Sequence, residues 1–409
     1  MIMTKAFHPY RPTAIAILNG VGRALGWRAN LTPDNLIASA RKRTGLVDFG
    51  EDDFRPALDQ LCSSAIQDAN MHPFGRWIFR KRLLDMLATR LRVQDLITQH
   101  PEILDLPIEP PLVIAGLQRT GTTMLHRLLA ADPATRALAS WEAVNPMPHP
   151  KEEPGNPQWR IKQARTAEKG LKYLAPEFFS IHPVEATAPE EDVLLMEYSF
   201  LSQVPQATLH LPLYSAWLSK QDMRPAYAYL KVLLQVLQWQ RPGQRWVLKT
   251  PAHLENLDVL LAVFPNARII QTHRDPQRTT ASFSSMLAHG FGVFSDQVDA
   301  PRIARDWLAI NANMVEAAWQ VRQQHPQAFM DVSYYDLMKD PMTQVERIYA
   351  FAGITLSDEA RAAMEASRQV NKQNRHGKHN YTLEEFGLSR EEVERSYATY
   401  RERFNIPHE

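Results

Sequence analysis

Apolar residues recur at helical spacing through the first quarter of the chain. In the segment "TPDNLIASARKR" a helix is predicted to begin at Thr32-Pro33-Asp34, because proline is tolerated in a first helical turn. The longer segment "FGRWIFRKRLLDMLATRLRVQDLITQ" carries apolar side chains at helical spacing among basic ones. We expect an amphipathic helix packed on the rest of the protein, with a membrane-surface or partner-binding helix as the alternative. Residues 1–105 are therefore predicted to form an N-terminal helical region.

The pattern changes after "LPIEPP", where short apolar segments begin to alternate with helical ones. "LVIAG", "RWVLKTP", "ARIIQTH" and "AFMDVSY" have the length and composition of strands, and a helical pattern follows each. The pairs Asp275-Pro276 and Asp340-Pro341 are typical of a helix N-cap followed by the first helical residue. This alternation predicts an α/β domain over residues 106–409 with a central parallel sheet covered on both faces. Such sheets bind ligands at the carboxyl ends of their strands.

Four further segments complete the prediction. "AHLENLDVLLAVF" is expected to be one helix, and the Pro-rich residues 145–158 and polar residues 371–381 are expected to be loops. Ser389 and Glu392 form a capping-box pattern that predicts a helix near the end of the sequence.

Composition limits the possible partners. Net charge is +1, with 44% hydrophobic and 22% charged residues, so bulk charge gives no reason to expect nucleic acid as a partner. Cys62 is the only cysteine, which excludes an intrachain disulfide and suits a reducing, cytoplasmic location. No stretch approaches the roughly 18 apolar residues of a membrane helix. The first residues are expected to belong to the folded protein rather than to a cleaved signal.

The stretch "VIAGLQRTGTTML" resembles a phosphate-binding loop without its lysine. Gly116 and Gly121 have the G-x-x-x-x-G spacing, but Thr122 occupies the lysine position. A glycine turn that leads into a helix presents backbone N–H groups and a partial positive charge to an anion. The cation here is Arg119, and the available hydroxyl donors are those of Thr120, Thr122 and Thr123. Because no aspartate ends a hydrophobic strand in the manner of a Walker-B motif, we predict an anion site that needs no metal.

These residues resemble the sulfotransferases that use 3′-phosphoadenosine-5′-phosphosulfate (PAPS), which have a three-layer P-loop-like fold. The family's loop [KR]-[ST]-G-T-T matches residues 119–123 position by position. The resemblance implies that Arg119 contacts the sulfuryl or bridging oxygens of PAPS, and that 3′,5′-ADP (PAP) is a product. In a second family motif, a strand-end arginine and a serine eight residues later bind the 3′-phosphate, and Arg274 and Ser282 have that spacing. The similarity covers about residues 111–355.

Weaker matches extend the resemblance. Tyr335-Asp336-Leu337 is similar to a Tyr-Glu-Asp-Leu segment that touches adenosine in cytosolic sulfotransferases, so Tyr335 is expected to contact the cofactor. Lys378 lies in a basic, glycine-containing segment that corresponds to another 3′-phosphate contact of the family. The chain departs from the cytosolic pattern at Met124, where those enzymes carry a tryptophan, and the adenine contact stays open.

Sulfuryl transfer needs cations near the leaving oxygen and a base for the acceptor proton. Besides Arg119, Lys249 in "VLKTP" resembles the strand-end Lys-Thr-His of cytosolic sulfotransferases. Three residues are candidate bases. His253 lies two residues beyond the family's histidine position, Glu142 lies in the region where tyrosylprotein sulfotransferases carry a catalytic glutamate, and His182 lies where the acceptor pocket is expected.

The acceptor itself is not determined by the sequence. His182 and Trp141 are expected to line its pocket, which suits a small-molecule or lipid-like hydroxyl or amine, and a homo-oligomer is possible. Two other functions remain open: a nucleotide-dependent small-molecule kinase with an atypical P-loop, and a non-catalytic nucleotide-binding protein.

Overall fold

A five-stranded parallel sheet lies at the centre of the protein. A computed structural model describes residues 7–150, 152–153, 155–243, 245–370 and 381–409. The strands run in the order β2-β3-β1-β4-β5, all parallel, and Leu112 of β1 pairs with both Val247 of β3 and Arg268 of β4. Their bounds are β1 Leu112–Ile114, β2 Thr135–Ala137, β3 Arg245–Lys249, β4 Arg268–His273 and β5 Phe329–Ser333. The predicted parallel sheet is confirmed, and β2 is a strand that the hydrophobic pattern did not reveal.

Alternate residues of the strands face two separate hydrophobic clusters. In β1, Leu112 and Ile114 pack in one cluster, whereas Val113 belongs to the other. In β3, Val247 packs in the same cluster as Leu112, and Leu248 packs in the same cluster as Val113. Because successive side chains of a strand point to opposite faces, both faces of the sheet are covered. The predicted three-layer α/β architecture is therefore confirmed.

Four α-helices precede the first strand among the described residues. They are α1 Thr13–Ala24, α2 Pro33–Thr44, α3 Arg55–Gln67 and α4 Pro73–Gln99. The start of α4 is fixed by His72, whose Nδ1 accepts a hydrogen bond of 2.8 Å from the N–H of Gly75. Leu58 of α3 and Leu87 of α4 belong to the same hydrophobic cluster as Trp246 and Leu248 of the sheet, so α3 and α4 pack against one of its two covering layers.

The remaining helices surround the sheet and connect its strands. They are α5 Thr122–Leu129, α6 Ser140–Val144, α7 Gln158–Leu174, α8 Pro176–Ile181, α9 Val193–Met196, α10 Pro212–Leu218, α11 Arg224–Gln240, α12 Leu257–Val263, α13 Pro276–Gly292, α14 Ala300–Gln324, α15 Tyr334–Lys339, α16 Pro341–Ala352, α17 Asp358–Val370 and α18 Arg390–Arg403. Asp275 and Asp340 cap α13 and α16 as predicted, and Ser389 with Glu392 forms the capping box of α18.

Two local predictions differ from the structure. The segment expected to be one helix after β3 is a 3-10 turn, Pro251–Glu255, followed by α12. The break lies at Asn256, whose φ of −138° and ψ of 39° are not helical. The second difference is α15, which the pattern did not predict. Within the described ranges, no helix has the length and apolar character to cross a membrane.

Candidate active site

The predicted anion loop joins the carboxyl end of β1 to the first residue of α5. Two residues take positive φ, Arg119 at 69° and Gly121 at 91°, which turns the chain sharply into the helix. Gly116 approaches β4 so closely that a Cβ there would lie 2.0 Å from the Thr272 hydroxyl. The Thr120 hydroxyl is buried, 2.6 Å from the Leu117 carbonyl and 2.6 Å from the Thr272 hydroxyl. Thr120 therefore holds the loop to the sheet, whereas the Thr123 side chain is exposed at the start of α5.

The fold brings Arg119 of the loop motif close to Arg274 and Ser282 of the second motif. Arg119 Nε donates to the Ser282 hydroxyl over 3.2 Å, and Arg274 Nη1 donates to the Arg119 carbonyl over 3.2 Å. Loss of hydration and repulsion from Arg274 lower the pKa of Arg119. Two guanidinium groups and one hydroxyl thus converge at the carboxyl ends of β1 and β4, where such sheets bind ligands.

A carboxylate already stands at this basic site. The side chain of Glu409 accepts two hydrogen bonds from Arg274, one of 2.8 Å from Nε and one of 3.1 Å from Nη2. Burial opposes the charge on Arg274, but Glu409 and Tyr334 outweigh it and raise the pKa. A guanidinium can donate the same pair of parallel hydrogen bonds to two oxygens of a carboxylate or to two oxygens of a phosphate. The Glu409 carboxylate therefore shows that the Arg274 fork is directed at an anion, as a 3′-phosphate site requires.

Two tyrosines at the end of β5 border the same site. The ring of Tyr334 lies under the Arg274 guanidinium, 3.9 Å from its central carbon. The Tyr335 hydroxyl donates to Glu409 over 3.1 Å and accepts from the N–H of Asp275 over 3.3 Å. Tyr335, which is predicted to contact the nucleotide, thus lies beside the Arg274 side chain and Glu409. The predicted contact of Lys378 lies outside the described residues.

Lys249, at the carboxyl end of β3, is buried and paired. Its Nζ donates to Glu191 over 2.6 Å, and the other Glu191 oxygen accepts from the Thr250 hydroxyl over 3.2 Å. The adjacent Asp192 accepts from the Lys249 backbone N–H over 2.8 Å. Glu191 and Asp192, in the acidic segment Glu190-Glu191-Asp192, thus bind the end of β3. Sequence analysis missed these residues, although three consecutive acidic residues after Pro189 were a visible signal.

His253 is fully buried between two polar partners. Its Nε2 lies 2.8 Å from Asp192 Oδ2, and its Nδ1 lies 2.9 Å from the Tyr227 hydroxyl. Burial opposes the charge on Asp192, but His253 and the Lys249 N–H outweigh it and lower the pKa of Asp192. The contact between Nε2 and Asp192 has an ion-pair distance without hydrogen-bond geometry, but the His253 ring is fully buried between Asp192 and Tyr227. This enclosure supports a structural role and argues against His253 as the base.

Glu142 is also buried and fully engaged. Its Oε1 accepts from Arg136 and from Arg241, each over 3.0 Å, and its Oε2 accepts from the N–H of Ala139 and from Arg241. A general base needs an oxygen within reach of the acceptor proton. The two arginines occupy both oxygens of Glu142, and so the contacts argue against it as the base.

His182 is the one predicted base that lies among the cations of the loop. Arg119 Nη1 donates over 3.3 Å to the carbonyl of Ile181, the preceding residue. Burial lowers the pKa of His182 to about 4, with Glu191, Lys249 and Arg119 among the charges that act on it. Glu190 lies next to Glu191, whose N–H donates to the Glu190 side chain over 2.8 Å. Burial raises the pKa of Glu190, and the charges of Lys249 and Glu191 have smaller effects on it. The structure therefore adds a carboxylate to the candidates.

An open cavity of about 520 Å³ lies beside this group. Arg127 of α5 lines it and pairs with Glu185 over 2.7 Å, and Arg165 and Glu168 line the side formed by α7. Trp141 does not line this cavity. Its ring is buried under the guanidinium of Arg160, 4.7 Å away, in a small cluster with Ala186, which is itself a lining residue. Trp141 therefore lies behind the wall of this cavity, and its predicted contact with the acceptor stays a prediction.

Known proteins share this sequence pattern. A model of the Sulfotransferase family matches residues 110–358. Among curated proteins, the omega-hydroxy-beta-dihydromenaquinone-9 sulfotransferase Stf3 of Mycobacterium tuberculosis is 25% identical over 259 residues, which is 60% of this chain. The aligned segment spans 63% of that relative's length. The protein of the same name from Mycobacterium bovis matches equally well.

Solved structures share the fold over most of the chain. Sulfotransferase STF1 of Mycobacterium tuberculosis is 36% identical with a TM-score of 0.79, covering 90% of this chain and 98% of its own. Sulfotransferase STF9 of Mycobacterium avium is 31% identical with a TM-score of 0.84, covering 92% of this chain and 98% of its own. With the loop, the strand-end arginine and the parallel sheet in the arrangement described above, the chain belongs to the sulfotransferase family.

Proposed function

We propose that this protein transfers a sulfuryl group from PAPS to the hydroxyl of a small, lipid-like acceptor. The observation that carries the proposal is the convergence of Arg119, Ser282 and Arg274 beside the start of α5, with a carboxylate already bound to Arg274. Relatives named for a hydroxylated menaquinone derivative support a lipid-like acceptor. An amine is the alternative acceptor group.

The residues of the site divide between binding and chemistry. Arg274, Ser282 and Tyr335 would hold the 3′-phosphate and the adenosine, with Lys378 as a further contact. The loop N–H groups from Gly121 to Thr123 would hold the 5′-phosphate at the start of α5. PAPS supplies an activated sulfuryl group whose S–O bond to the bridging oxygen breaks as the acceptor oxygen bonds to sulfur.

Two cations would stabilise the negative charge that develops on the leaving oxygen. Arg119 presents its guanidinium from the loop, and Lys249 presents its ammonium from the end of β3. Both side chains are held in place, Arg119 by Ser282 and the Ile181 carbonyl, and Lys249 by Glu191. Fixed cations that need little rearrangement during the reaction are an effective means of stabilising a transition state.

Glu190 is proposed to take the acceptor proton, with His182 as the second candidate. A base works best when its pKa lies near the working pH. Burial raises the pKa of Glu190, whereas it lowers that of His182 to about 4. His253 and Glu142 keep the structural roles that their contacts indicate.

Isothermal titration provides the first test of the proposed function. We expect 3′,5′-ADP to bind without Mg²⁺ and ATP to bind much more weakly, because Arg119, Arg274 and Ser282 lie together at the proposed phosphate site. Transfer of labelled sulfate from PAPS to a panel of hydroxylated quinols and lipids should then identify the acceptor. Preference for Mg-ATP would instead support a kinase, and tight 3′,5′-ADP binding with no sulfated product would support a nucleotide-binding protein.

The base is tested by the Glu190→Gln variant. We expect turnover to fall on the order of 10²-fold or more while 3′,5′-ADP affinity stays unchanged, because only proton transfer is lost. In the wild type, turnover should fall as the pH drops through the raised pKa of Glu190, and this acid limb should vanish in the variant. Retention of the limb in Glu190→Gln and its loss in His182→Ala would assign the proton to His182.

The cellular compartment and the class of substrate are proposed from the composition of the chain and from the burial of Cys62. Cys62 is buried, and burial raises the pKa of its thiol to about 12, so it needs no oxidising environment. We propose a cytoplasmic location on this basis. The near-zero net charge supports a small-molecule substrate rather than a nucleic acid.

A further inference from the structure

The first helix, α1, exposes most of its large apolar side chains to solvent, whereas a helix in a folded protein normally buries them. The residues of α1 that are buried are Ile15, Asn19 and Gly22. Its outward face consists mainly of apolar residues, with Ile17 at 63% and Val21 at 51% exposed. Leu25, just after the helix, is 78% exposed. A surface helix normally buries its apolar stripe, so this contiguous exposed strip indicates a binding surface.

The orientation of α1 is fixed by contacts from its buried face. The Asn19 side chain accepts a hydrogen bond of 2.9 Å from the N–H of Phe74 at the start of α4. Gly22 lies so close to Pro73 that a Cβ would stand 2.9 Å from the proline ring. Side chains larger than these could not bring the two helices so near, and α1 therefore cannot turn its apolar face inward without losing both contacts.

Aromatic and basic side chains border the exposed strip. Tyr10, Trp27 and Trp77 are each more than a third exposed, and Trp77 stacks on Phe74 next to α1. Arg28 is exposed and near enough to Arg76 to contribute to its electrostatic environment. Tryptophan and tyrosine beside an apolar strip are typical of the level at which a protein meets lipid headgroups.

Basic side chains outnumber acidic ones around the strip. The sequence contains no Asp or Glu before Asp34. The acidic side chain described beside α1 is Asp296, which pairs with both Arg11 and Arg23. The net charge of the whole protein is +1, so this positive end is a local feature that complements an anionic surface.

We propose that the exposed face of α1, with Leu25, Trp27 and Trp77, docks the protein on an anionic lipid bilayer. Ile17, Val21 and Leu25 would enter the boundary between headgroups and acyl chains, and Arg28 and Arg76 would meet anionic headgroups. This inference concerns a surface distinct from the transfer site and does not depend on the proposed activity.

The docking face and the candidate site share α13 as a support. Before α1, Phe7 and Pro9 contact His289 and Gly292 in the last turns of α13. On the same turns, Phe178 of α8 packs at Gly290, and its ring contacts His182 near the reaction centre. A bilayer bound to α1 would therefore lie near α8 and α13, the two helices next to the proposed acceptor side of the site.

Vesicle flotation tests the proposal directly. The purified chain is mixed with phosphatidylcholine vesicles that contain 30% phosphatidylglycerol, about the anionic content of a charged leaflet, and with vesicles of phosphatidylcholine alone. We expect the wild type to float with the anionic vesicles.

In the triple variant Ile17→Glu, Val21→Glu, Leu25→Glu, the partition coefficient should fall by on the order of tenfold or more, because three apolar contacts become acidic. Arg28→Gln should reduce binding about fivefold on anionic vesicles and leave binding to neutral vesicles unchanged.

The matched control places the same three charges on exposed apolar positions elsewhere. Val47→Glu, Ile66→Glu, Leu213→Glu changes side chains that are 69%, 47% and 43% exposed, and it should float like the wild type. Leu25→Glu alone, outside the helix, gives a second variant whose folding is not in question. Wild-type protein that stays with neither vesicle, or a triple α1 variant that floats normally, would overturn the proposal. A wild-type dimer that becomes monomeric in the α1 variant would overturn it in favour of a second copy of the chain.

Discussion

Glu142 and Glu190 are both shielded carboxylates, and their neighbours give them different chemistry. Two arginines and a backbone amide hold Glu142, so its charge is fully compensated. Glu190 has no such cage in the described contacts, and burial raises its pKa. At the scale of single residues, a side chain is a structural ion or a reactive group according to which charges lie within a few ångströms of it.

Removal of the Glu142 charge should destabilise the protein and leave the chemistry intact. In Glu142→Gln the buried Arg136 loses its anion, and breaking such a pair costs about 3–5 kcal/mol of unfolding free energy. Urea unfolding should show this loss, while turnover of the folded fraction stays at the wild-type level. The control is Glu346→Gln, which breaks an exposed pair with Arg361 and should cost less than about 1 kcal/mol. A loss of turnover in folded Glu142→Gln would return Glu142 to the candidate bases.

At the scale of the element, several helices of this protein begin at a side chain that caps the first turn. Asp275, Asp299, Ser333, Asp340 and Ser389 accept from backbone N–H groups in the first turns of their helices. His72 performs this function for α4 with a ring nitrogen, which can accept only when that nitrogen is unprotonated. Burial lowers the pKa of His72 to about 4.

This cap predicts a stability that depends on pH. Because the pKa of His72 is lower in the folded protein than its ordinary value, its contribution is fully present above about pH 6.5 and is lost as the pH falls toward 4. The loss should be on the order of 3 kcal/mol between these limits. Unfolding measured at several pH values should show it, and His72→Asn should cap the helix without this dependence. The same slope in His72→Asn would mean that another group is responsible.

At the scale of the whole molecule, the anion site is assembled from segments that are far apart in sequence. Arg119 comes from the β1 loop, Arg274 from the end of β4, and Glu409 from the last described residues. Glu409 is also tied to Asp275 by its backbone N–H over 2.7 Å and to Tyr335 over 3.1 Å. A 3′-phosphate at Arg274 would have to displace this carboxylate.

Removal of the competing charge should therefore tighten nucleotide binding. In Glu409→Gln we expect 3′,5′-ADP affinity to rise by on the order of 1–2 kcal/mol, because the phosphate no longer displaces a charge-assisted bond. Isothermal titration measures the change, and Glu402→Gln, on the exposed end of α18, is the control and should bind like the wild type.

The opposite change is expected at the arginine that both anions use. Arg274→Ala should lose on the order of 2–4 kcal/mol of 3′,5′-ADP affinity. Equal affinity in Arg274→Ala would show that the 3′-phosphate binds elsewhere, and a weaker affinity in Glu409→Gln would show that Glu409 helps to hold the nucleotide.

The sequence alone was sufficient for features that depend on neighbours in the chain. Strand β1, the loop from Gly116 to Thr123 and the caps Asp275 and Asp340 were predictable, because alternation, glycine spacing and side-chain caps act over a few residues. The break at Asn256 and strand β2 were not predictable. Strand β2 forms by pairing with β3, a contact between residues far apart in sequence that no local pattern records.

Local chemistry thus determined the fold class, the loop and the residue types that can hold an anion. The tertiary structure alone decided which charges meet. It enclosed His253 with Asp192, enclosed Glu142 with two arginines, and placed Glu190 and Glu191 beside Lys249. It also left the apolar face of α1 outside. The physical reason is that hydrogen bonds and turns are formed between near neighbours, whereas burial and ion pairing depend on distances that only the packed chain defines.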